Sequence, residues 1–192
     1  MAIYDTIIIG GGSTGFSAAM YAGRLNLKTL VLVENMGGTL TIAGNVENWP
    51  GIKSIDGYDL ADKIKEHAME YDIEVIEKRA TEIKKDKALF TVKTQDQSFQ
   101  TKTIIIATGT KVKKLDIKGE DKFANKGVHY CALCDGPLYK QKTLCVVGGG
   151  DSAAKGALVL SEWGKKVYLI YRGDKITPEP VNMKRIEKKV KE

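Results

Sequence analysis

The 192-residue sequence has few cysteines and no long apolar run, and each shortage excludes a class of protein. Its three cysteines, an odd number, do not suit a secreted disulfide scaffold and favour a reducing compartment. No apolar run reaches the roughly 18 residues that a membrane-spanning helix needs. The apolar start "MAIYDTIIIG" lacks the basic region of a signal peptide. We therefore expect a cytoplasmic globular protein that does not associate with a membrane.

The net charge of +6 does not come with a pattern typical of nucleic-acid binding. Lysines are mixed with acidic residues along the chain, and no basic stripe interleaved with aromatic residues is present. We therefore expect no nucleic-acid partner.

The first 34 residues have the pattern of a strand, a glycine turn, a helix and a second strand. Buried parallel strands are predicted by "YDTIIIG" and "KTLVLVE", with helical spacing of apolar residues between them. Gly10, Gly12 and Gly15 form G-x-G-x-x-G at the junction of strand and helix. There the first glycine permits a tight turn, the second lets the backbone approach a pyrophosphate, and the third allows close helix–strand packing. Glu34, at the end of the second strand, can accept hydrogen bonds from a ribose.

The middle of the chain predicts a loop, a helix and short strands. The Gly- and Asn-rich stretch at 35–56 predicts a long loop, and Asp56 can cap the amphipathic helix that follows. Short alternating runs predict a small antiparallel excursion at 73–77, 80–84, 88–94 and 97–103. The run at 103–109 predicts a further buried strand.

The strand–turn–helix–strand pattern returns at 142–172. Gly148, Gly150 and Ala153 form the G-x-G-x-x-A version of the turn. Arg172 ends the second strand, where it can pair with a ribose 2′-phosphate and favour NADP over NAD, or be merely a solvated side chain. Two such units on one chain suggest two dinucleotides, a flavin and a nicotinamide.

Between the two units lies "VHYCALCDG", which places Cys131 and Cys134 at C-x-x-C spacing. Three interpretations are open: a redox dithiol, a metal site that includes His129, or a purely structural pair. Cys145 is the only other cysteine, and it lies in a predicted buried strand where we expect a core residue and not a fourth ligand. The redox interpretation is therefore favoured, with His129 as a strand residue beside the motif and no metal bound.

Six motifs together resemble those of the low-molecular-weight thioredoxin reductases, which are class II pyridine nucleotide-disulfide oxidoreductases. In the order and spacing of that family, the chain has "GGGSTGFSAAMYAGR", "MGGTL", "ENWPG", "IIIATGT", "GVHYCALCDG" and "VVGGGDSA". The resemblance implies an α/β protein with two Rossmann-like domains, an FAD domain at 1–112 and an NAD(P) domain with the C-x-x-C pair at 113–192. It also implies a homodimer that passes electrons from NAD(P)H through FAD to the Cys131–Cys134 disulfide and on to thioredoxin or a thioredoxin-like protein.

By position, the resemblance assigns site residues of three kinds. The FAD ligands would be Gly10, Gly12, Ser13, Thr14, Gly15, Glu34, Gly38, Thr39, Leu40, Asn48, Ala107, Thr108 and Gly109. The nicotinamide dinucleotide would be held by Gly148, Gly150, Asp151, Ser152, Ala153 and Arg172. Cys134 would face the flavin, Cys131 would attack the partner's disulfide, and Asp135 would protonate the departing thiolate.

The sequence departs from the family at two places. Members that use NADPH usually carry His-Arg-Arg where this chain has Tyr171, Arg172 and Gly173, so NADH, reduced ferredoxin or a deazaflavin are alternative donors, and another acceptor is possible. Only about fifty residues follow Lys142, whereas a full nicotinamide domain needs roughly a hundred or more. We therefore expect a C-terminally truncated chain that binds FAD weakly, or a non-catalytic dinucleotide-binding remnant.

Overall fold

The computed structural model describes residues 3–189, and the chain divides into two compact units, Met1–Lys111 and Val112–Glu192. The elements of unit 1 are β1 (Ile3–Ile9), α1 (Ser13–Arg24), β2 (Thr29–Leu32), a 3₁₀ helix (Gly38–Ile42), β3 (Asn45–Val46), β4 (Ile55–Asp56), α2 (Gly57–Met69), β5 (Ile73–Ile76), β6 (Glu82–Asp86), β7 (Leu89–Lys93) and β8 (Ser98–Ile106). Those of unit 2 are α3 (Glu120–Phe123), α4 (Ala132–Asp135), a 3₁₀ helix (Gly136–Tyr139), β9 (Thr143–Val147), α5 (Asp151–Trp163), β10 (Lys166–Ile170) and α6 (Pro180–Glu187). Within residues 3–189 no helix is both long and apolar enough to cross a membrane.

Unit 1 is built on a mixed sheet with the strand order β5-β2-β1-β8-β7-β6. The first four of these strands run parallel, and β6 and β7 continue the sheet as antiparallel neighbours of β8. Because successive side chains of a strand point to opposite faces, β1 is buried on both sides. Ile8 packs with Phe16 of α1 and Ala68 of α2, whereas Ile7 packs with Leu30 on the other face. The predicted α/β fold with a small antiparallel excursion is confirmed.

The pairing of two predicted strands was wrong. The run at 73–77 is not antiparallel, because β5 pairs in parallel with β2, with Leu30 opposite Glu74. The runs at 97–103 and 103–109 form the single strand β8. The second half of β8 is not buried. β7 pairs with β8 only as far as Thr101, so beyond that residue β8 has a neighbouring strand, β1, on one side only. Ile106, at its end, is 68% exposed.

The predicted long loop at 35–56 is only partly a loop. It contains the 3₁₀ helix and a two-stranded ribbon in which β3 pairs with β4. The cap of the next helix is confirmed, because Asp56 Oδ1 accepts a hydrogen bond from the N–H of Tyr58 at 2.8 Å.

Unit 2 contains the second strand–turn–helix–strand segment, in which β9 and β10 run parallel on either side of α5 in the sequence. The helix covers the face of β9 that carries Leu144 and Val146. Cys145 points to the opposite face by the two-residue alternation of a strand, and it is a free, exposed thiol. The expectation that Cys145 is a core residue was wrong.

A buried carboxylate ties the chain at 115–116 to the residue that precedes the dithiol. Glu120 is 4% exposed, and its carboxylate accepts hydrogen bonds from the N–H of Leu115 (3.0 Å), the N–H of Asp116 (2.7 Å) and the hydroxyl of Tyr130 (2.8 Å). These donors, with the Leu115 N–H foremost, lower the pKa of Glu120. A carboxylate out of water is stable only when its oxygens are satisfied in this way.

Glu120→Gln should lower the Tm at neutral pH by a few degrees, since an amide cannot accept all three hydrogen bonds. The folded pKa of Glu120 lies below its ordinary value of 4.5, so its stabilisation is complete above that pH and is lost as the pH falls through the folded pKa. The Tm difference between wild type and variant should therefore close under acid, as measured by circular dichroism.

The matched control is Asp121→Asn, which removes an exposed carboxylate paired with Lys114. It should change the Tm little at any pH. A Tm difference for Glu120→Gln that is no larger than this control would show that the buried carboxylate does not stabilise unit 2.

Candidate cofactor and dithiol sites

The first glycine turn joins β1 to α1 with glycines that the surrounding backbone requires. Gly10 has φ +119°, and a Cβ there would collide with the carbonyl oxygen of Ala107. A Cβ at Gly15, in the first turn of α1, would collide with the carbonyl oxygen of Gly10. Gly12, the N-cap of α1, differs from these two glycines. The atom nearest to a Cβ added there would be the Cα of Gly38, at 3.8 Å. The backbone at Gly12 is therefore open to an incoming group.

Two other segments meet this turn. The N–H of Gly37 donates to the carbonyl of Gly11 at 2.9 Å, which brings the segment at 37–40 against the turn. The N–H of Ala107 donates to Ile9 at 2.8 Å, which sets 107–109 beside the end of β1. The structure thus brings together three groups of predicted FAD ligands: Gly10, Gly12, Ser13, Thr14 and Gly15; Gly38, Thr39 and Leu40; and Ala107, Thr108 and Gly109.

The remaining predicted FAD ligands lie on exposed segments. Glu34 follows β2, and its Oε1 lies 3.4 Å from Nη1 of Arg79, with both side chains largely in solvent. Asn48 is exposed in the loop after β3. Arg79 did not emerge from the sequence, because 45 positions of chain separate it from its acidic partner and no motif links the two.

The second glycine turn repeats the backbone of the first. Gly148 has φ +143° and donates its N–H to Ile170, as Gly10 does to Leu32. Gly150 caps α5 with φ −98° and ψ −170°, close to the −89° and −171° of Gly12. A Cβ on Gly150 would meet nothing within 4 Å, so this backbone is open as well. Ser152 and Ala153 lie in the first turn of α5.

The chain after β10 folds back over this second turn. Asp151 accepts hydrogen bonds from the N–H of Glu179 at 2.6 Å and the amide of Asn182 at 3.1 Å, and these donors lower the pKa of Asp151. The Tyr171 ring packs on Gly149, where an added Cβ would lie 2.6 Å from the ring. Arg172 is exposed. Asp151 therefore holds the start of α6 against the turn, a contact that the sequence did not reveal.

Cys131 and Cys134 form a disulfide at the start of α4, with their Cα atoms 5.3 Å apart. Cys131 is the N-cap, and its Sγ accepts the N–H of Cys134 at 3.1 Å. Once the disulfide is reduced, this N–H favours a negative charge on the Cys131 sulfur. Cys131 is half-buried and Cys134 exposed. The next residue but one, Gly136, is buried against α5, where an added Cβ would lie 2.9 Å from Leu160.

A histidine lies beside the dithiol in a cluster that the sequence did not predict. The side chain of His129 is 14% exposed, with Nδ1 3.2 Å from Oδ2 of Asp135 and Nε2 2.8 Å from the hydroxyl of Tyr139. His129 lies outside any strand, so its predicted strand position was wrong. The sequence offered only a faint sign of this cluster. Asp135 and Tyr139 follow His129 by six and ten positions, and a Gly-Pro pair lies between them.

Metal ligation was one of the alternatives for the C-x-x-C pair. Across residues 3–189, no three His, Cys, Asp or Glu side chains are grouped so as to hold a metal ion. In the disulfide, neither sulfur is a thiolate that could act as a ligand.

Comparison with known proteins finds relatives over most of the chain. The pyridine nucleotide-disulphide oxidoreductase family model matches residues 4–192. Thioredoxin reductase of Ureaplasma parvum serovar 3 is 43% identical over 88% of this chain and 55% of its own length. The crystal structure of Lactococcus lactis thioredoxin reductase has a TM-score of 0.94 at 38% identity, over 96% of this chain and 61% of its own. A ferredoxin-flavin thioredoxin reductase from Clostridium acetobutylicum has a TM-score of 0.56 at 34% identity, over 94% of this chain and 63% of its own.

The chain spans a little over half the length of the curated relatives that it matches. The family match nevertheless includes both glycine turns and the dithiol between them. This chain belongs to the pyridine nucleotide-disulphide oxidoreductase family.

Proposed function

We propose that this protein is an FAD-dependent disulfide reductase of the thioredoxin reductase type, which passes electrons from a reduced donor to the Cys131–Cys134 disulfide and on to thioredoxin or a thioredoxin-like protein. The observation that carries the proposal is the disulfide itself, formed across one turn at the start of α4. A C-x-x-C disulfide in that position is typical of a reactive and not a structural bond. The similarity to thioredoxin reductases supports the same conclusion.

The two open glycine turns fit the two dinucleotides. At Gly12 and Gly150 the backbone leaves free the space that a Cβ would fill, beside the N–H groups that begin α1 and α5. A helix N-terminus with open backbone suits a pyrophosphate. We assign the first turn to FAD, with the residues at 37–40 and 107–109 beside it, and the second turn to the nicotinamide. When bound, FAD supplies a reduced ring that can give two electrons to a disulfide.

In the reduced chain, the dithiol would act by thiol–disulfide exchange. The Cys131 thiolate attacks one sulfur of the partner disulfide, whose S–S bond breaks as a mixed disulfide forms. The departing sulfur takes a proton from Asp135. Cys134 gives its proton to the Asp135 carboxylate, and its sulfur attacks Cys131 Sγ. The Cys131–Cys134 bond is restored, and the second partner sulfur leaves as a thiolate that takes a proton from solvent. Two electrons pass to the partner, and the N–H that points at Cys131 supports this cysteine as the attacking one.

The setting that we propose is a cytoplasmic homodimer. The exposed free thiol of Cys145 suits a reducing compartment, where such a group stays reduced. The dimer rests on the family resemblance. Sedimentation equilibrium of the purified chain tests it, and a monomer mass at all concentrations would contradict it.

A donor other than NADPH is a second candidate, favoured by the residues that directly follow β10. Arg172 stands between Tyr171 and Gly173, so one guanidinium is available for a 2′-phosphate. The Tyr171 ring packs on Gly149, and its side chain carries no positive charge that could bind the 2′-phosphate together with Arg172. One of the similar structures is named as a ferredoxin-flavin thioredoxin reductase.

Gly12→Ala should weaken FAD binding roughly tenfold or more, because the added methyl group lies where a pyrophosphate must approach the backbone. It should leave the Tm of the flavin-free chain unchanged, since the Cβ meets no atom closer than 3.8 Å. Gly15→Ala should lower the Tm itself by collision with Gly10. Fluorescence titration measures the FAD dissociation constant of each variant relative to wild type, and thermal unfolding measures the difference in Tm.

Gly150→Ala is the matched control, as the same change at the same position of the second turn. FAD binding should stay as in wild type. Equal weakening of FAD binding by Gly12→Ala and Gly150→Ala would contradict the assignment of FAD to the first turn.

Cys134→Ser should convert the reduced chain into a trap for oxidised thioredoxin. Cys131 still attacks, but no second thiol releases the mixed disulfide, so a covalent complex accumulates and mass spectrometry detects it. A Cys145→Ser background removes the exposed third thiol. If Cys131→Ser traps thioredoxin and Cys134→Ser does not, the roles of the two cysteines are reversed, as the greater exposure of Cys134 would favour.

Anaerobic bleaching of the flavin absorbance compares NADPH, NADH and reduced ferredoxin as donors. We expect NADPH to bleach the flavin no faster than NADH does, because this chain offers the 2′-phosphate one arginine where family members that use NADPH usually have two. Arg172→Ala should raise the KM for NADPH several-fold and leave that for NADH unchanged. A strong preference for NADPH that survives Arg172→Ala would show that other groups read the phosphate.

A further inference from the structure

His129 links the two sides of the segment that contains the dithiol. It lies two residues before Cys131, and its ring contacts one residue directly after Cys134 and another at the end of the following 3₁₀ helix. The His129 and Tyr139 rings meet edge to face, with centroids 5.2 Å apart. The other histidine, His67, is an exposed residue of α2, so the burial of His129 is specific to this place.

We propose that His129 is a positioning residue that holds the Asp135 carboxyl for proton delivery to the departing thiolate, with Tyr139 fixing the imidazole. The proposal rests on the proposed function, in which Asp135 is the acid of thiol–disulfide exchange. His129 itself touches neither the partner nor the reacting sulfurs in this scheme. It acts through Asp135.

The hydrogen-bonding capacities of the three groups fit this order. A carboxyl group keeps an accepting oxygen whether or not its other oxygen carries a proton, so we assign the ring proton to Nδ1, the nitrogen that faces Asp135. With the proton on Nδ1, Nε2 of the neutral ring has a lone pair that can accept a hydrogen bond from the Tyr139 hydroxyl, 2.8 Å away. Tyr139 thereby selects the tautomer that presents N–H to the carboxylate.

The contact between His129 and Asp135 is close but not locked. Nδ1 lies 3.2 Å from Oδ2, yet the direction of its N–H falls outside hydrogen-bond geometry, so this buried nitrogen has no aligned partner among the described residues. The contact between Nδ1 and Oδ2 is therefore a short electrostatic one and not an aligned hydrogen bond.

Two small disulfides separate proton delivery from the rest of the exchange. Dithio-bis-nitrobenzoate releases an aryl thiolate that leaves without a proton, whereas hydroxyethyl disulfide releases an alkyl thiolate that benefits from one. The full chain, as Cys145→Ser, is reduced, freed of reductant and mixed with each probe under anaerobic conditions. Re-formation of the Cys131–Cys134 disulfide gives the rate.

His129→Ala should slow the exchange with hydroxyethyl disulfide about tenfold, a part of the roughly 100-fold or more that a general acid can contribute. Its rate with dithio-bis-nitrobenzoate should stay as in wild type. His129→Asn places an amide nitrogen where Nδ1 stands and should restore most of the rate, whereas His129→Gln replaces Nε2 and should not. Asp135→Asn should show the same probe selectivity as His129→Ala, and His67→Ala should change neither rate.

Equal slowing of both probes by His129→Ala would reduce the residue to a structural part and overturn the proposal. Rescue by Gln and not by Asn would overturn it too, because the contact that matters would then be the one to Tyr139. If Asp135→Asn alone shows the probe selectivity, the positioning role fails while the proposed function stands. A reduced dithiol that reacts with neither probe would instead sink the proposed function.

Discussion

The carbonyl oxygen of Ala107 occupies the place where a side chain of residue 10 would stand. This contact requires glycine at position 10 and holds the carboxyl ends of β1 and β8 together, an arrangement that the Ala107–Ile9 hydrogen bond reinforces. Gly15 extends the same constraint into α1, because the helix can start this close to the sheet only without a side chain there. Gly12 lies between these two packed glycines, and its own Cβ position has no atom closer than 3.8 Å. The open space that we propose for a pyrophosphate is thus shaped by main chain alone, before any polar side chain is considered.

The two glycine turns share their backbone and differ in what covers them. Gly12 and Gly150 have almost the same dihedral angles, so both helices present their first N–H groups in the same way. The first turn is covered by the segment at 37–40, through the main chain of Gly37. The second is covered by the residues after β10, through the side chain of Asp151. If both turns bind a dinucleotide as proposed, phosphate binding would be common to them, and discrimination between dinucleotides would depend on the segments that cover them.

Patterns within a few residues predicted much of the fold, and contacts between distant residues account for what the sequence missed. The β-branched runs and glycine spacings predicted β1, α1 and β2, and also β9, α5 and β10, because local geometry requires them. Cys145 was misplaced because the rest of its strand after Thr143 is apolar, and the sequence does not say which face of the strand α5 covers. β5 was misassigned because pairing with β2 depends on the sheet order. The contacts of His129 were missed because Asp135 and Tyr139 reach its ring only once α4 and the 3₁₀ helix that begins at Gly136 have formed.

The dithiol depends on a short part of the chain. Glu120 fixes Tyr130 directly before Cys131, and Gly136 seats the following turn against α5. These contacts lie between Leu115 and Trp163, and neither of them involves a residue of the two glycine turns. In the proposed reaction, reduction of the disulfide would require a bound donor, whereas exchange with a partner would require only the two sulfurs, an acid and the residues that hold it. The proposed delivery of electrons and their proposed release to a partner would therefore rest on separate sets of contacts, and each could be lost while the other remains.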